Sequence, residues 1–384
     1  MVYKKYFIDR LHGKSTLVES ISGKWPALHS EELKRGITIK LGYADATLYQ
    51  CKKCGVFSSS DKCGKCFEVC DVVRTVSFVD APGHETLMAT VLAGASLMDG
   101  VIFTIAANER CPQPQTQEHL MVLGIVGIKN IIIVQTKIDL VTKEEALENY
   151  KQIKEFVKGT VAENAPVIPV SSKQKINLDV LLNAIQEFIP TPERDLTKPV
   201  KMYVVRSFDI NKPGTEPAKL KGGILGGGIV QGKLDVGDEI EIKPGIKIKD
   251  KWQPIKTKVT GLQKAGKDLK TAGAGGLLGV LTELDPYLTK ADSLNGSVAG
   301  IQLPNTLSTF TMEYNLFDKK KIIAGEILLL NVGTGRTIGT AKMSKGNKCE
   351  VVLKTPICTD KSDRVVISRK IEDRWRLSGW AKII

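Results

Sequence analysis

The sequence predicts an α/β domain with a largely parallel sheet, followed by two β-barrel domains. Two observations lead to this prediction. Up to about residue 190, short β-branched runs alternate with longer segments of helical apolar period, whereas beyond it short β-rich runs alternate with glycine and proline. In addition, a chain of 384 residues is longer than one ordinary hydrophobic core requires, so several domains are expected.

In the first half of the chain, strands and helices are predicted to alternate. Four short apolar runs that end in loops predict strands: TVSFVDAPG, DGVIFTIAA, IKNIIIVQTK and APVIPVSS. Four longer segments predict helices: HETLMATVLAGASLM, QPQTQEHLMVLGIVG, KEEALENYKQIKEFVKG and INLDVLLNAIQEFI. Continuous apolar strands that alternate with helices indicate a parallel sheet covered on both faces. Ligands of such sheets bind at the carboxyl ends of the strands.

The second half begins after the segment IPTPERDLTKPV, residues 189–200, whose three prolines and mixed charge predict a linker. Beyond it, β-rich runs such as KMYVVRSFDI and DRVVISRKI contain no long helical period. Two small barrels explain these runs most simply, because closure removes the exposed edges of a sheet. We therefore predict domains at residues 1–197, 198–298 and 299–384.

The composition is that of a globular protein with an excess of positive charge. Hydrophobic residues make up 42%, charged residues make up 25%, and the net charge is +13. Such an excess favours a polyanionic partner, but it also serves to keep a surface soluble, and composition does not separate the two. The most apolar stretch, LMVLGIVGIKNIIIV, is interrupted by Lys129 and is too short to span a bilayer. We expect a soluble cytoplasmic protein with no membrane partner.

Five separate segments, each at a predicted strand end or loop, carry the residue types of a nucleotide site. They are GKS at residues 13–15, Thr38 in KRGITIK, VDAPGH at residues 79–84, TKID at residues 136–139 and VSS at residues 170–172. Each segment alone is no more than a turn or a helix cap. All five in this order predict a guanine nucleotide site, because each supplies a different contact.

The phosphate contacts are predicted from the first three segments. The backbone N–H groups of the loop and of the helix that begins at Lys14, together with the Lys14 ammonium group, suit phosphate oxygens. The Ser15 hydroxyl and the Asp80 carboxylate are candidate magnesium ligands. Thr38 can sense the γ-phosphate through the same ion, which makes its loop a switch that is ordered in the triphosphate state.

Two residues of the third segment complete the predicted reaction site. Gly83 offers a backbone N–H group to the γ-phosphate, and His84 is placed to orient the attacking water. Thr38 and His84 are therefore the candidate catalytic residues.

The last two segments predict the contacts to the base. The Asp139 carboxylate can accept hydrogen bonds from the ring N–H and the amino group of guanine, which adenine cannot donate. Lys137 can lay its aliphatic stem over the base, and the Ser172 backbone N–H can reach the guanine carbonyl oxygen. The nucleotide-binding candidates are His12, Gly13, Lys14, Ser15, Thr16, Gly83, Thr136, Lys137, Asp139, Ser171, Ser172 and Lys173.

Four of the eight cysteines form two C-x-x-C pairs with eight residues between them, at Cys51, Cys54, Cys63 and Cys66. Four soft sulfurs satisfy a tetrahedral zinc ion and leave no open position, so a structural zinc site is predicted. It would staple the segment between LGYADATLYQ and VVRTVSFV, which is expected to form a hairpin in the sheet. A redox pair is the alternative, although such pairs usually occur singly at a helix start. Cys70 is a spare thiol.

Several of these residues lie in longer stretches that resemble the translational GTPases. The stretches HSEELKRGITIKLGYA, APGHETLMATVLAGASLMDG, NERCPQPQTQEHL, RSFDINKPGT and WRLSGW, with the cysteine pairs, are similar to the gamma subunit of archaeal and eukaryotic translation initiation factor two. The resemblance covers nearly the whole chain. It implies an α/β P-loop GTPase domain followed by two β-barrel domains, with GTP or GDP and Mg²⁺. It also implies slow, partner-dependent GTP hydrolysis.

The same resemblance implies the partners. They are initiator methionyl-tRNA as cargo, the alpha and beta subunits of the same factor, and the small ribosomal subunit. One physical inference extends it: if the loop with Thr38 orders with GTP, the nearby Tyr43 could help to form the cargo pocket. A tyrosine that packs on the sheet is the alternative. Phosphate contacts of tRNA are candidates at Arg364, Arg369, Arg374 and Arg376.

The nucleotide site departs from the family pattern at a few positions. Ile8 and Leu11 replace a glycine and an acidic residue of a loop that resembles G-H-V-D-H-G-K-[ST]. Thr136 stands where an asparagine ties the base loop to the phosphate loop, and Ser172 replaces an alanine. Because glycine lets a backbone approach phosphate closely, we predict weakened GTP binding and low intrinsic hydrolysis.

Three alternative functions stay open at this point. The chain could be a scaffold for subunit or ribosome binding with a decayed nucleotide site, as Ile8, Leu11 and Thr136 suggest. It could be another elongation-type carrier of aminoacyl-tRNA, including a selenocysteine-type factor, although the cysteine pairs and CPQPQTQEH argue against this. It could also be a GTPase that activates an enzyme such as a sulfate adenylyltransferase.

Overall fold

The structure of the protein is a computed structural model. It describes the backbone of residues 5–8 and the backbone and side chains of residues 13–26, 42–80, 92, 94, 97–318 and 320–384. The chain divides into two compact units, Met1–Pro192 and Glu193–Ile384. Within the described ranges, no helix combines the length and the apolar character that a membrane crossing needs.

A sheet of seven strands forms the centre of the first unit. Its strands in chain order are β1 Lys5–Ile8, β2 Gly42–Cys51, β3 Phe57–Ser58, β4 Cys70–Asp80, β5 Gly100–Ala106, β6 Ile131–Thr136 and β7 Val167–Pro169. The order across the sheet is β3-β2-β4-β1-β5-β6-β7. Along the part of the sheet with the order β4-β1-β5-β6-β7, each strand is parallel to its neighbour. In contrast, β2 is antiparallel to β4 and to β3. The predicted α/β architecture and the predicted β2–β4 hairpin are confirmed.

The carboxyl ends of the central parallel strands meet at one edge of this sheet. Ile8 at the end of β1 pairs with Asp80 at the end of β4, and Ala106 at the end of β5 pairs with Thr136 at the end of β6. A parallel register of this kind brings the residues that follow each strand to the same side. Those predicted nucleotide contacts that the structure describes lie at this edge or directly after it.

Four helices of this unit have described bounds: α1 Lys14–Ser22, α2 Pro114–Val126, α3 Lys143–Val157 and α4 Leu178–Phe188. The last three lie in segments predicted to be helical. α3 begins with a capping box, in which Thr142 and Glu145 accept hydrogen bonds from each other's backbone N–H groups. α1 and α4 bury apolar side chains in the same core as β2, β4 and β6, so they cover one face of the sheet.

The first barrel of the second unit closes through six strands. The strands of this region are β8 Lys201–Phe208, β9 Ile224–Gln231, β10 Lys233–Asp235, β11 Glu239–Ile248, β12 Lys251–Lys264, β13 Lys267–Leu269, β14 Thr271–Gly273, β15 Leu278–Thr282 and β16 Val298–Gly300. The order is β11-β16-β8-β9-β15-β12, and pairing of β12 with β11 closes the ring. β16 pairs with β8 and β11, so it belongs to this barrel although the predicted boundary falls at residue 298.

The second barrel follows directly. Its strands are β17 Thr306–Leu316, β18 Ile327–Val332, β19 Gly335–Lys345, β20 Lys348–Cys358, β21 Arg364–Ile371 and β22 Arg374–Ile383. They close in the order β17-β20-β19-β18-β21-β22 around a core of alternating apolar side chains. The prediction of two barrels after the α/β domain is confirmed.

A buried lysine joins the two barrels within this unit. Lys201 of β8 lies 2.6 Å from Asp360 and 3.7 Å from Asp363, both in the loop after β20, and its side chain is 8% exposed. Burial lowers the pKa of Lys201, but Tyr203 and the two carboxylates outweigh it and raise this pKa overall. The lysine therefore stays charged, as a buried cation with acidic partners should.

Candidate functional site

The predicted phosphate loop, between β1 and α1, ends at Gly13, whose backbone is left-handed. Gly13 has φ 84° and ψ 23°, and it caps α1, which begins at Lys14. A glycine is suited here because other residues rarely adopt such angles. β1 ends at Ile8, so the loop connects the end of a central strand to the start of a helix, as a phosphate-binding loop does.

Three residues that were predicted to bind phosphate and magnesium lie together. Lys14 Nζ is 3.1 Å from Asp80 Oδ1, and both side chains are fully buried. The Ser15 hydroxyl donates a hydrogen bond to Asp80 Oδ2 at 2.7 Å. Asp80 therefore contacts both residues of the helix start, and the group combines a cation, a carboxylate and a hydroxyl at the sheet edge. Such a set suits the phosphates and Mg²⁺ of a nucleotide.

The predicted base loop, residues 136–139, follows β6 and lies next to Gly13. A Cβ atom placed on Gly13 would lie 4.0 Å from Thr136 Oγ1 and 4.0 Å from two carbons of the Lys137 side chain. Lys137 itself has φ 57° and precedes the short 3-10 turn Ile138–Leu140. Asp139 lies in this turn and is exposed, so its carboxylate is open to a ligand.

Thr136, at the position of the asparagine of the family pattern, is buried and contacts the end of β5. It is 2% exposed, and its hydroxyl donates a long hydrogen bond, 3.5 Å, to the Ile105 carbonyl oxygen of β5. Its backbone carbonyl accepts from Ala107 N at 2.8 Å. These bonds fix the end of β6 to the end of β5.

The fifth predicted segment forms a tight turn after β7. Ser171 is buried and its hydroxyl accepts a hydrogen bond from Gln174 N at 3.1 Å, while its backbone pairs with Ile176. Ser172 is half-buried and Lys173 is exposed. Because Val170 N donates to the Gln135 carbonyl at 2.8 Å, this turn adjoins the end of β6 and the base loop.

The remaining nucleotide candidates divide into two groups. Thr16 is described and is exposed on α1. His12, Leu11, Thr38, Gly83 and His84 lie outside the described residues, so their roles stay predictions.

The four paired cysteines form a compact cluster at the end of the β2–β4 hairpin. All four Sγ atoms lie within 4.8 Å of one another. The distance is 3.4 Å for Cys51–Cys66 and for Cys54–Cys63, and 3.8 Å for Cys54–Cys66. Four sulfurs at about 2.3 Å from a tetrahedral zinc ion are about 3.8 Å apart. The cluster therefore fits zinc.

The backbone of the cluster supports thiolate ligands. The N–H groups of Cys66 and Lys65 lower the pKa of Cys63 to about 6, and the N–H group of Cys54 lowers the pKa of Cys51. At Cys54 and Cys66 backbone N–H groups also lower the pKa, but neighbouring thiols and burial outweigh them and raise it overall. Cys51 and Cys63 are each 1% exposed. Metal ligation requires deprotonated sulfur, so these hydrogen bonds favour a metal.

The other candidates are placed as follows. Tyr43 lies on β2 opposite Val79, and its side chain is half-buried on the face away from Ala44 and Ala46. Cys70 is 5% exposed and packs against the cysteine cluster without belonging to it.

The prediction that Arg369 binds phosphate is wrong, whereas it stays open for the other three arginine candidates. Arg369 is 8% exposed, and its guanidinium group contacts the carboxylates of Asp318 and Glu326 and the carbonyl oxygens of Lys320 and Lys321. A guanidinium group whose donors are used in this way has none to offer a phosphate. Arg364, Arg374 and Arg376 stay candidates, and Arg364 lies over the Trp380 ring at 5.3 Å.

The sequence did not point to the side chains that hold the base loop in place. Lys137 Nζ lies 3.3 Å from Glu109 Oε1, and Glu109 is held in turn by Asn149 of α3. The only signal was that Glu109 follows a predicted strand, in the stretch NERCPQPQTQEHL. Contacts between loops so far apart in the chain have no local pattern.

Two protein-family models match the chain. The Elongation factor Tu GTP binding domain matches residues 9–191, and the C-terminal domain of initiation factor eIF2 gamma matches residues 306–383. Translation initiation factor 2 subunit gamma of Methanococcus maripaludis is 55% identical over an alignment of 392 residues. The alignment covers 97% of this chain and 96% of the relative. The protein of the same name from Pyrococcus horikoshii is 55% identical over 388 residues, covering 97% and 94%.

Solved structures share the fold at lower identity. The bacterial selenocysteine-specific elongation factor EF-Sec has a TM-score of 0.78 at 23% identity, over 100% of this chain and 58% of that one. Translation elongation factor SelB from Methanococcus maripaludis, in complex with the GTP analogue GppNHp, has a TM-score of 0.75 at 22% identity, over 100% and 78%. At this identity the likeness concerns the fold alone.

Proposed function

This chain belongs to the gamma-subunit family of translation initiation factor 2 and is a translational GTPase, and we propose that it carries initiator methionyl-tRNA to the small ribosomal subunit in its GTP-bound form. In this proposal it acts in the cytoplasm with an alpha and a beta subunit. The observation that carries the nucleotide part of the proposal is the buried group of Lys14, Ser15 and Asp80 at the carboxyl edge of the sheet. The cargo and the partners are proposed from membership of the family.

The residues of this group would divide the work at the phosphates. Lys14 supplies the positive charge for the β- and γ-phosphates, and the backbone N–H groups at the start of α1 supply hydrogen bonds. Ser15 and Asp80 would hold Mg²⁺, which neutralises charge that develops during hydrolysis. Thr38 and Gly83 would report on the γ-phosphate, and the switch between GTP and GDP forms would start there.

The base loop would select guanine. Asp139 is exposed in a short turn, where its carboxylate can accept from the ring N–H and the amino group. The Lys137 stem and the backbone N–H of Ser172 would complete the pocket. His84 would orient the attacking water, and hydrolysis is expected to be slow without partners.

The zinc site would be structural. Four cysteines leave no position open for chemistry, so the ion would only hold the end of the β2–β4 hairpin in place.

The first barrel offers a place for the end of the cargo. It carries an open cavity of about 630 Å³, with Phe208, Ile224 and Leu281 among the apolar residues that line it and Gln263 among the polar ones. Small-molecule sites have volumes of about 300–1,000 Å³. Apolar and aromatic surfaces stack on nucleobases, and an amide can hydrogen-bond their edges. We therefore propose this cavity as the site of the terminal adenosine of the tRNA.

The alternatives from the sequence have less support. A non-catalytic scaffold does not require Lys14, Ser15 and Asp80 to be gathered at the sheet edge. An elongation-type carrier, or a GTPase that activates a small-molecule enzyme, is at odds with the match of residues 306–383 to the initiation-factor family.

A change of base preference tests the nucleotide part of the proposal. In Asp139→Asn the carboxylate becomes an amide, which can donate to the second carbonyl of xanthine but can no longer accept twice from guanine. We expect GDP binding to weaken by about tenfold or more and XDP binding to strengthen. Asp179→Asn, a change at a partly exposed carboxylate of α4 that pairs with Lys65, serves as the control. Equal affinities of wild type and Asp139→Asn for GDP would contradict the assignment.

A further inference from the structure

The Lys137 side chain lies beside Gly13 and reaches Glu109, in the loop between β5 and α2. Its carbons Cγ and Cε lie 4.0 Å from the position of a Cβ atom on Gly13. Its ammonium nitrogen lies 3.3 Å from Glu109 Oε1, in the loop between β5 and α2. The side chains of Lys137 and Glu109 are 30% and 32% exposed, so the pair is partly shielded from water. The aliphatic stem therefore lies beside Gly13, and its charged end is held by Glu109.

Glu109 is fixed by a chain of buried amide groups. Its carbonyl oxygen accepts a hydrogen bond from Asn149 Nδ2 at 2.8 Å, and Asn149 Oδ1 accepts from Gln135 Nε2 at 2.9 Å. The same Gln135 nitrogen donates to the Ala146 carbonyl oxygen at 2.8 Å. Gln135 and Asn149 are 3% and 4% exposed. Buried amide groups are costly to leave unpaired, so this chain of bonds favours one position of the loop.

Helix α3 holds the loop at a second point. Gln152, three residues after Asn149 and therefore on the same face of the helix, accepts a hydrogen bond from Cys111 N at 3.0 Å. Gln135 is the residue before Thr136 and Lys137 in the chain. The strand that carries the base loop therefore also fixes, through α3, the loop that carries Glu109.

We propose that Glu109 is a positioning residue for guanine nucleotides: its carboxylate holds the Lys137 ammonium group so that the lysine stem lies in place beside the base before the nucleotide arrives. The inference rests on the proposed nucleotide site. A lysine side chain has much rotamer freedom, and ordering it in advance reduces the entropy that is lost on binding.

This role predicts how loss of the Glu109 carboxylate affects nucleotide affinity and hydrolysis. The base is common to GTP and GDP, so loss of the Glu109 carboxylate should weaken both by the same factor. The carboxylate is not at the phosphate end, so single-turnover hydrolysis in a saturated complex should not change. Because Glu109 acts through Lys137, its effect should vanish when Lys137 has no charge.

A double-mutant cycle with GDP and GTP as probes tests the proposal. The variants are Glu109→Gln, Lys137→Met and the two combined, in the full chain. Glutamine keeps the shape of the side chain, and the hydrogen bond of Glu109 to Asn149 comes from the backbone, so the loop should keep its fold. We expect Glu109→Gln to raise the Kd of both nucleotides about two- to fivefold, and to have no further effect in the Lys137→Met background. Glu148→Gln, at an exposed ion pair on α3, is the matched control.

Two results would overturn the proposal. One is an unchanged Kd in Glu109→Gln, and the other is an equal loss of affinity with and without Lys137. If Glu109→Gln does not fold, Glu109→Asp, which keeps the charge but shortens the reach, replaces it in the same cycle with the same expected loss. A wild-type chain that binds neither GDP nor GTP would instead overturn the nucleotide site as a whole.

Discussion

Lys14 Nζ lies 3.1 Å from Asp80 Oδ1, and neither side chain is exposed to solvent. The two residues come from different parts of the chain: Lys14 begins α1, and Asp80 ends β4. The pairing satisfies two charges that would be costly to bury alone. It also gathers a cation and an anion where the phosphates and the metal ion of a nucleotide would bind.

The first prediction concerns this pair. Asp80→Asn removes the negative charge and leaves the buried Lys14 cation with a weaker partner, so we expect the first unit to lose about 3 kcal/mol of stability. Calorimetry of the nucleotide-free protein measures the loss. The control is Asp71→Asn, whose ion pair with Lys52 is largely exposed, and we expect it to change stability by less than about 1 kcal/mol. Equal melting behaviour of the two variants would contradict the assignment.

The second prediction separates the two ends of α1. Gly13 and Gly23 both have left-handed backbones, with φ 84° and 68°, so alanine at either position should cost about 1 kcal/mol of stability. Gly13 faces the base loop, whereas a Cβ atom on Gly23 would have no neighbour within 4 Å among the described residues. We expect only Gly13→Ala to weaken GDP binding, as measured by titration. Similar GDP affinities of both variants would argue against a phosphate loop at this position.

The third prediction concerns the cysteine cluster. Cys63→Ser replaces a buried ligand, so the zinc content should fall from about one ion per chain to near zero. Cys70→Ser changes a buried thiol beside the cluster and should leave the zinc content unchanged. Elemental analysis of the purified variants gives the answer. Wild-type protein purified without zinc, or zinc that depends on Cys70, would refute the four-cysteine site.

The fourth prediction concerns Arg369. Arg369→Met leaves Asp318 and Glu326 without their buried cation, so the second barrel should lose about 3 kcal/mol of stability. Arg374→Met changes an exposed side chain and should cost less than about 0.5 kcal/mol. Thermal unfolding of the two variants measures the difference. A stable Arg369→Met variant with reduced tRNA affinity would restore the phosphate-binding role.

The fifth prediction concerns the cavity of the first barrel. Leu281 is half-buried and lines it, so Leu281→Arg should fill the space and reduce the affinity for initiator methionyl-tRNA, while GDP binding stays the same. Ile327→Arg places the same side chain at an exposed position of the second barrel and is the control. Filter binding at fixed salt compares them. Equal tRNA affinities would remove the cavity from the proposed cargo site.

The elements with a strong local pattern could be predicted from the sequence. α3 and α4 have helical apolar periods, and the two β-rich runs that flank the cysteine pairs predict the hairpin of β2 and β4. The parallel sheet then places Asp80 and Thr136 at one edge, because both follow apolar runs. The local patterns therefore predict that these two residues share one edge, as the structure shows.

The contacts that could not be predicted join residues without a shared local pattern. Glu109 reaches Lys137 because two loops adjoin at the sheet edge, which depends on strand order and register. Arg369 is buried because the loop after β17 folds over it. The basic residues around it in the sequence predict an exposed strand instead. Tertiary packing decided both positions.

The most direct test of the proposed function is the affinity for initiator methionyl-tRNA in the presence of GppNHp and of GDP. For this measurement the chain should be combined with the alpha and beta subunits that the proposal assigns to it. We expect binding to be about tenfold or more tighter with GppNHp, because ordering by the γ-phosphate should be coupled to the cargo site. The same affinity with both nucleotides would contradict GTP-dependent carriage.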